Sequence, residues 1–212
     1  KTPPRERSEI LRSCWEILVA HTDELAELIV REHGKPLTDA KGEITYSAEF
    51  FRWNAEETVR IRGEIGTAPS GANKMIIHHH PVGVVAIITP WNFPAAMITR
   101  KLAPAIGAGN AAVIKPPRET PLTALRIGEL LLEAGLPPEG MQMLTGFPAD
   151  LGDELITSPD IGLISFTGSA AVAKAIAGKA APTLKRLAFE LGGTDAMIVL
   201  EDADLDAAAE AV

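Results

Sequence analysis

The stretch "VGVVAIITPWNFPAAMITRKLAPAIGAGNAAVIKPP", residues 82–117, decides the fold because a strand, a helix and a second strand follow one another in it. The apolar run from Val82 to Ile88 and the shorter "AAVIK" at 111–115 are typical of buried strands. Residues 94–107 between them favour a helix. Short apolar strands separated by helices form parallel sheets covered on both faces, so this stretch predicts an α/β fold.

The same alternation continues after this stretch, whereas the first third of the chain is helical. Further strands are predicted in "MQMLT", "GLISFT", "LKRLAFEL" and "DAMIVL", and further helices over residues 120–134, 149–157 and 169–180. Apolar residues at helical spacing predict earlier helices around Leu11 to Val19, from Thr22 to Gly34 and over about 38–62. We therefore predict a doubly wound, mostly parallel sheet preceded by helices.

Composition excludes several classes of function. The net charge of -8 over 212 residues argues against nucleic acid or an anionic membrane as a partner, and the longest apolar run is too short to span a bilayer. The single cysteine, Cys14, lies on an apolar helix face and predicts a core residue in a cytoplasmic protein without disulfides. No metal site is expected, because neighbours in His78–His80 would point to opposite faces of a strand.

Polar or glycine-rich segments follow four of the predicted strands. Ligands of open parallel sheets bind beyond the carboxyl ends of the strands. We therefore expect these four segments to lie near one site; they are residues 89–93, 115–118, 166–169 and 190–193.

Two of these segments suit a phosphate or a ribose. Gly168 and Ser169 open a helix, whose first amides attract anions, although a serine that only caps the helix is the simpler interpretation. Lys115 and Arg118 follow another strand and offer cations to ribose or phosphate, although both also suit a solvated loop.

The other two segments carry an amide and a carboxylate in apolar surroundings. Asn92 follows the apolar run that ends at Ile88. Glu190 lies in an apolar strand, where partial burial would raise its pKa towards that of a general base. An ion pair with Lys185 or Arg186 is an equally good interpretation of Glu190.

The motifs "TPWNFP", "KPPRETPLTAL", "FTGS" and "FELGG" occur in this order, with "EHGKPLTDAKGE" before them and "DADLD" after them. Together they resemble the aldehyde dehydrogenase superfamily over nearly the whole chain. Within that family, the region "KMIIHHHPVGVVAIITPWNFP" is most similar to succinate-semialdehyde dehydrogenases.

The resemblance implies how the chain is organised. Residues 1–65 and 83–212 would form a Rossmann-like dinucleotide-binding domain, and residues 66–82 would begin a protruding β-hairpin arm used in a homo-oligomer, a dimer or a tetramer. The family's nucleophilic cysteine follows the "ELGG" glutamate in a further domain that this chain lacks. We therefore expect a piece of a longer enzyme, inactive by itself.

The resemblance also implies the chemistry, an NAD(P)-dependent oxidation of an aldehyde to a carboxylic acid. A cysteine thiolate would attack the aldehyde, Asn92 would donate to the developing oxyanion, and Glu190 would activate water to hydrolyse the thioester. Arg100 matches an arginine associated with the carboxylate of succinate semialdehyde. The cofactor residues carried over are Thr89, Pro90, Trp91, Lys115, Arg118, Gly152, Phe166, Gly168, Ser169, Val172 and Leu191.

The type of nicotinamide cofactor depends on one departure from the family. Arg118 stands where a glutamate would repel a 2′-phosphate, so we predict NADP in preference to NAD. Three alternatives stay open: another aldehyde substrate, an acylating enzyme that transfers to coenzyme A, and a non-catalytic dinucleotide-binding protein. Glu190 favours hydrolysis over acyl transfer to coenzyme A.

Overall fold

The computed structural model describes residues 2–194 and 196–211. Three helices come first, of which the first two pack on the third, and an antiparallel hairpin of two strands follows. The helices are α1 (Pro4–Ala20), α2 (Thr22–His33) and α3 (Leu37–Thr58), and the strands are β1 (Glu64–Thr67) and β2 (Lys74–Ile77). The hairpin therefore begins two residues before the predicted arm. Its second strand ends before the three histidines.

A five-stranded parallel sheet follows, in the order β5-β4-β3-β6-β7. The predicted α/β class with a parallel sheet and N-terminal helices is confirmed. The elements are β3 (Val84–Ile88), α4 (Ala96–Gly107), β4 (Ala111–Lys115), α5 (Pro121–Glu133), β5 (Met141–Met143), α6 (Pro148–Thr157), β6 (Ile161–Gly168), α7 (Ala170–Ala180), β7 (Arg186–Leu191) and α8 (Leu205–Glu210), with short 3-10 helices at Pro138–Gly140 and Ala181–Thr183.

Helices cover both faces of the central strands, so β3 is buried on both sides. Val85 and Ile87 pack into one apolar core, which the first five helices complete. Ala86, between them in the sequence, belongs to a second core with residues of α6 and α7. Successive residues of a strand point to opposite faces, which explains why β3 is an uninterrupted apolar run.

The order of the strands creates a crevice between β3 and β6. The chain builds outward from β3 through β4 to β5, and then returns to the other side of β3 to add β6 and β7. At such a reversal the loops after adjacent strands run to opposite faces of the sheet and leave an open crevice at their carboxyl ends. The segments after β3 and β6 border this crevice.

One predicted strand is wrong. In "DAMIVL", Asp195 lies outside the described residues, and residues 196–200 form no strand. Their apolar side chains are exposed, with Ile198 at 81% and Leu200 at 66%. A buried-strand pattern becomes a strand only where a neighbouring strand and layer bury it, and none is available to these residues within the described part of the chain.

Within residues 2–194 and 196–211, no helix has both the length and the apolar composition needed to cross a bilayer.

Candidate active site

The loop between β3 and α4 carries Asn92, whose side chain is exposed. It has no regular secondary structure, and its backbone is fixed by side chains from elsewhere. The Thr120 hydroxyl donates to the Trp91 carbonyl oxygen at 3.1 Å. The Lys35 ammonium donates to the Asn92 carbonyl oxygen at 3.3 Å. The backbone on both sides of the Asn92 nitrogen is therefore tied to other elements.

Glu190 lies at the same edge of the sheet as this loop. Ile88 at the end of β3 pairs with Phe166 of β6, and Thr167 of β6 pairs with Glu190 of β7. The loop after β3 therefore starts at the level of Glu190 in the sheet. Asn92 follows the carboxyl end of β3, and Glu190 is the second-last residue of β7, so both predicted catalytic residues lie at the carboxyl ends of parallel strands.

Three groups hold the Glu190 carboxylate, whose side chain is 42% exposed. The Thr167 hydroxyl donates to it at 3.0 Å, the Lys101 ammonium lies at 3.3 Å and the Arg100 guanidinium at 3.6 Å. Burial raises the pKa of Glu190, but Lys101, Thr167 and Arg100 together outweigh burial and hold this pKa below its ordinary value. The predicted rise in the pKa was wrong because it ignored cations on α4.

The alternative interpretation of Glu190, an ion pair with Lys185 or Arg186, is wrong, because its partners are Arg100 and Lys101. Its cations come from α4, and Lys185 instead donates to the carbonyl oxygens of Ser158 and Ile161.

Lys101 is a site residue that sequence reasoning missed. Its side chain is only 3% exposed, and burial lowers its pKa although the Glu190 charge raises it. A usable signal was present, because Lys101 lies three residues after Ile98 and four before Ala105, on the buried face of α4. A lysine at a buried helical position needs an anionic partner, and here that partner is Glu190.

Replacing Lys101 with methionine is expected to raise the pKa of Glu190, because only Thr167 and Arg100 then oppose burial. A carboxylate whose folded pKa lies below its unfolded pKa stabilises the fold above the unfolded pKa and loses this contribution as the pH falls through the folded pKa. In the variant, the contribution of Glu190 to the free energy of unfolding should therefore be smaller, and less stability should be lost as the pH falls. Titration of the Glu190 carboxyl carbon by NMR measures the shift.

The matched control is Lys179→Met, since the Lys179 ammonium pairs with Asp153 and not with Glu190. An unchanged Glu190 pKa in Lys101→Met would contradict the assigned cause.

A cavity of about 800 Å³ lies beside this edge, between the ends of β3 and β4 and the helices α6 and α7. Many of the predicted cofactor residues line it, whereas Gly168, Ser169 and Leu191 do not. Asn92 and Arg100 lie outside its lining as well. The predicted residues in the lining are Thr89, Pro90, Trp91, Lys115, Arg118, Gly152, Phe166 and Val172.

The polar groups of this cavity fit a ligand rich in hydroxyls and phosphates. The Thr89 hydroxyl is buried without a hydrogen-bond partner within residues 2–194 and 196–211. The Lys115 ammonium is buried and has a long 3.4 Å hydrogen bond to the Pro116 carbonyl oxygen. Burial lowers the pKa of Lys115, as does Arg118, while Glu119 raises it. Buried polar groups normally have partners, so both groups suit contact with a bound molecule.

Gly152 also fits a ligand in this cavity. It lies inside α6, where glycine costs roughly 1 kcal/mol relative to alanine. Gly152 lines the cavity, and a Cβ atom built on it would meet nothing within 4 Å. Glycine at this position keeps the space open.

Gly168 and Ser169 precede α7 as predicted, and each has a structural role there. The Ser169 hydroxyl accepts a hydrogen bond from the Val172 amide at 3.3 Å and caps the helix. A Cβ atom on Gly168 would lie 2.4 Å from the Phe166 ring, which lines the cavity. Gly168 therefore leaves room for that ring, and the serine hydroxyl serves as the helix cap.

Comparisons with known proteins identify the family. The profile of the aldehyde dehydrogenase family matches residues 1–212. The chain belongs to the aldehyde dehydrogenase family. A succinate semialdehyde dehydrogenase of Acinetobacter baylyi is 46% identical over 206 residues, which are 97% of this chain and 43% of that protein. A Schizosaccharomyces pombe succinate-semialdehyde dehydrogenase named for NADP(+) is 47% identical over 209 residues, 98% of this chain and 42% of that protein.

Solved structures give the same family. The crystal structure of an NAD-dependent aldehyde dehydrogenase from Sinorhizobium meliloti has a TM-score of 0.94 and 36% identity, covering 99% of this chain and 42% of that one. This aldehyde dehydrogenase chain thus spans less than half the length of the relatives it matches.

Proposed function

We propose that the protein containing this chain oxidises an aldehyde with an acidic tail, succinate semialdehyde, to the carboxylic acid with a nicotinamide dinucleotide. One observation carries the proposal: the Asn92 loop and Glu190 share one sheet edge with a cavity whose buried Thr89 and Lys115 suit a dinucleotide. The family and the names of its relatives support the aldehyde chemistry. The bound nicotinamide would accept the hydride from the substrate.

Asn92 supplies the electrophilic assistance. As a thiolate adds to the aldehyde carbon, the carbonyl oxygen becomes an oxyanion, and the side-chain amide of Asn92 donates to it. A neutral donor held on a fixed loop stabilises charge that develops in the transition state more than the uncharged ground state. The tied backbone on both sides of the Asn92 nitrogen supports this role.

Glu190 supplies the base that releases the acid. Its pKa lies below the ordinary value, so it is a carboxylate at neutral pH, the form that accepts a proton. Water attacks the thioester carbon, its proton passes to Glu190, and the thiolate leaves as the carboxylic acid forms. Water needs such a base to attack, whereas a thiol ionises near neutral pH without one, so Glu190 supports hydrolysis over transfer to another thiol.

Arg100 is the proposed partner of the substrate carboxylate. Its guanidinium lies 3.6 Å from Glu190 and 5.8 Å from the centre of the Phe50 ring. The side chain is 32% exposed, which leaves donors available on the solvent side. A second anion near Arg100 would be recognised by a planar cation already oriented by Phe50 and Glu190.

The thiolate would come from outside these 212 residues. Cys14, the single cysteine of the chain, is buried in the core, and burial raises the pKa of its thiol to about 12. A buried thiol with that pKa is neither ionised nor accessible at neutral pH. We therefore expect the 212 residues alone to bind the cofactor without oxidising aldehydes.

Titration of this chain with NADPH and NADH tests the cofactor and its type. We propose NADP, because Arg118 lines the cavity with a side chain that is 62% exposed, where a 2′-phosphate can reach it. Arg118 forms a 3.2 Å ion pair with Glu119, and on cofactor binding this pair must either open or share the guanidinium with the 2′-phosphate. Arg118→Ala is expected to weaken NADPH binding by about 10- to 100-fold, since a charge-assisted hydrogen bond contributes roughly 1.5–3 kcal/mol. NADH binding should be unchanged.

Lys174→Ala is the control for this titration, because Lys174 lies on α7 but does not line the cavity. Tighter binding of NADH than of NADPH by the unaltered chain would overturn the NADP assignment. Binding of neither cofactor would overturn the cofactor site. Aldehyde oxidation by the chain alone would contradict the proposal that the nucleophile comes from outside these 212 residues.

The hairpin supports the proposed homo-oligomer. Ile65 of β1 is 79% exposed and Ile76 of β2 is 61% exposed. Two short strands with exposed apolar side chains and open edges suit a contact with another subunit. The cytoplasmic location is proposed on the single unpaired cysteine.

A further inference from the structure

A buried ion pair lies behind the loop that carries Asn92. Lys35 precedes α3 and Glu43 lies within it, and the Lys35 ammonium is 2.5 Å from a Glu43 carboxylate oxygen. The Glu43 side chain is 1% exposed and that of Lys35 is 10% exposed. Such a pair is expensive to bury, and apolar residues of similar size would often stabilise a fold equally well.

Each member of the pair also contacts the segment between β3 and α4. The Lys35 ammonium donates to the Asn92 carbonyl oxygen at 3.3 Å and lies 3.8 Å from the centre of the Phe93 ring. The second oxygen of Glu43 accepts hydrogen bonds from the amides of Ala95, at 2.9 Å, and Ala96, at 3.2 Å. The pair thus holds the backbone at Asn92 and at the start of α4.

No other side chain caps α4 within the described residues. The residue before the helix, Ala95, has no side chain that could accept from its first amides. A carboxylate at a helix N-terminus satisfies those amides and interacts favourably with the helix dipole. Glu43 therefore fixes where α4 begins, and Lys35 fixes the turn that leads into it.

We propose that Lys35 and Glu43 are positioning residues, which orient the Asn92 amide towards the substrate oxygen. This role rests on the proposed function, because it requires Asn92 to be the oxyanion donor. Neither side chain lines the cofactor cavity, so their effect should fall on the chemical step and not on cofactor affinity. A small displacement of a donor from its productive position is enough to slow a reaction strongly.

A double-mutant cycle in the complete protein that carries this chain tests the role. The pair variant is Lys35→Met with Glu43→Gln, which leaves no unpaired buried charge and keeps an amide oxygen to accept from Ala95 and Ala96. We expect kcat to fall about tenfold, with an unchanged dissociation constant for the cofactor. In an Asn92→Ala background the same pair variant should change kcat less than twofold, because the group that it positions is gone.

Two further variants separate positioning from general destabilisation. The single substitution Lys35→Arg keeps a cation beside Glu43, and this variant should retain most of the kcat of the unaltered protein. Lys41→Met removes an exposed lysine of α3 that pairs with Asp23, and should leave kcat unchanged. In the pair variant, hydrogen exchange should become faster at the amides of Ala95 and Ala96, because a neutral amide oxygen accepts their hydrogen bonds more weakly than the Glu43 carboxylate does.

The outcomes are distinguishable. An equal loss of kcat in both backgrounds, no loss at all, or unchanged exchange at these amides would overturn the positioning role while the proposed function stands. If the unaltered protein oxidised no aldehyde, the proposed function would fail, and the positioning role would fall with it.

Discussion

Asn92→Ala in the complete protein is expected to lower kcat for aldehyde oxidation by about 10²–10³, the loss typical for removing one oxyanion donor. The reason is that the amide acts on a charge that appears only as the thiolate adds to the aldehyde. KM should change little, because the ground-state carbonyl oxygen gains less from the same donor. Steady-state kinetics at saturating cofactor measure both constants.

Asn92→Asp makes this expectation sharper, since it keeps the shape of the side chain and replaces the donor by a negative charge. It should be at least as slow as Asn92→Ala. Both variants should bind the cofactor normally, because Asn92 does not line the cavity between β3, β4, α6 and α7. An Asn92→Asp enzyme with normal kcat would show that another group stabilises the oxyanion.

Phe51→Ala is expected to lower the free energy of unfolding by about 3–5 kcal/mol, the usual cost of truncating a buried phenylalanine. Phe51 of α3 is fully buried in the core that joins the N-terminal helices to the sheet. Its loss would leave a cavity in this core, where α3 packs against α1, α2 and α4. Urea denaturation of the chain, followed by far-ultraviolet circular dichroism, measures the change.

Trp53→Ala is the matched control, because Trp53 lies on the same helix but is 67% exposed. This larger truncation should cost under about 1 kcal/mol, close to the range of surface substitutions. Equal losses in the two variants would mean that this core contributes no more to stability than the surface of α3.

The sequence allowed most of the fold to be predicted because most of its signals are local. Apolar residues at helical spacing identified α1, α2 and α3, and short apolar runs identified β3 to β7. The prediction failed at residues 196–200, where the apolar pattern is present and a neighbouring strand is not. An apolar sequence pattern shows that a segment is suited to a buried strand, whereas the strand forms only where a neighbouring strand can pair with it.

The candidate site was only partly predictable for the same reason. The rule for strand ends selected the segments of Asn92, Lys115 and Glu190 correctly as one edge of the sheet. The direction of the Glu190 pKa depends on Lys101, which is far away in the sequence and close in the fold. No pattern around a single residue could give that direction.

Lys35 and Glu43 lie in "EHGKPLTDAKGE", which contributed to the family resemblance, but nothing in that motif indicates a role at the site. They lie in the helical third of the chain, and their partners are backbone groups of a loop some 50 residues later. A backbone amide or carbonyl has no signature in the sequence. Contacts between side chains and distant backbone can therefore be found only from the fold.

The position of β3 between β4 and β6 has a consequence for synthesis of the protein on the ribosome. Val84 pairs with Ile161, so one edge of this apolar strand stays open until Ile161 has emerged. At translation rates of about 5–20 residues per second, that interval lasts on the order of ten seconds. Throughout it the nascent chain exposes an unpaired strand edge, the kind of surface to which chaperones bind and from which misassembly begins.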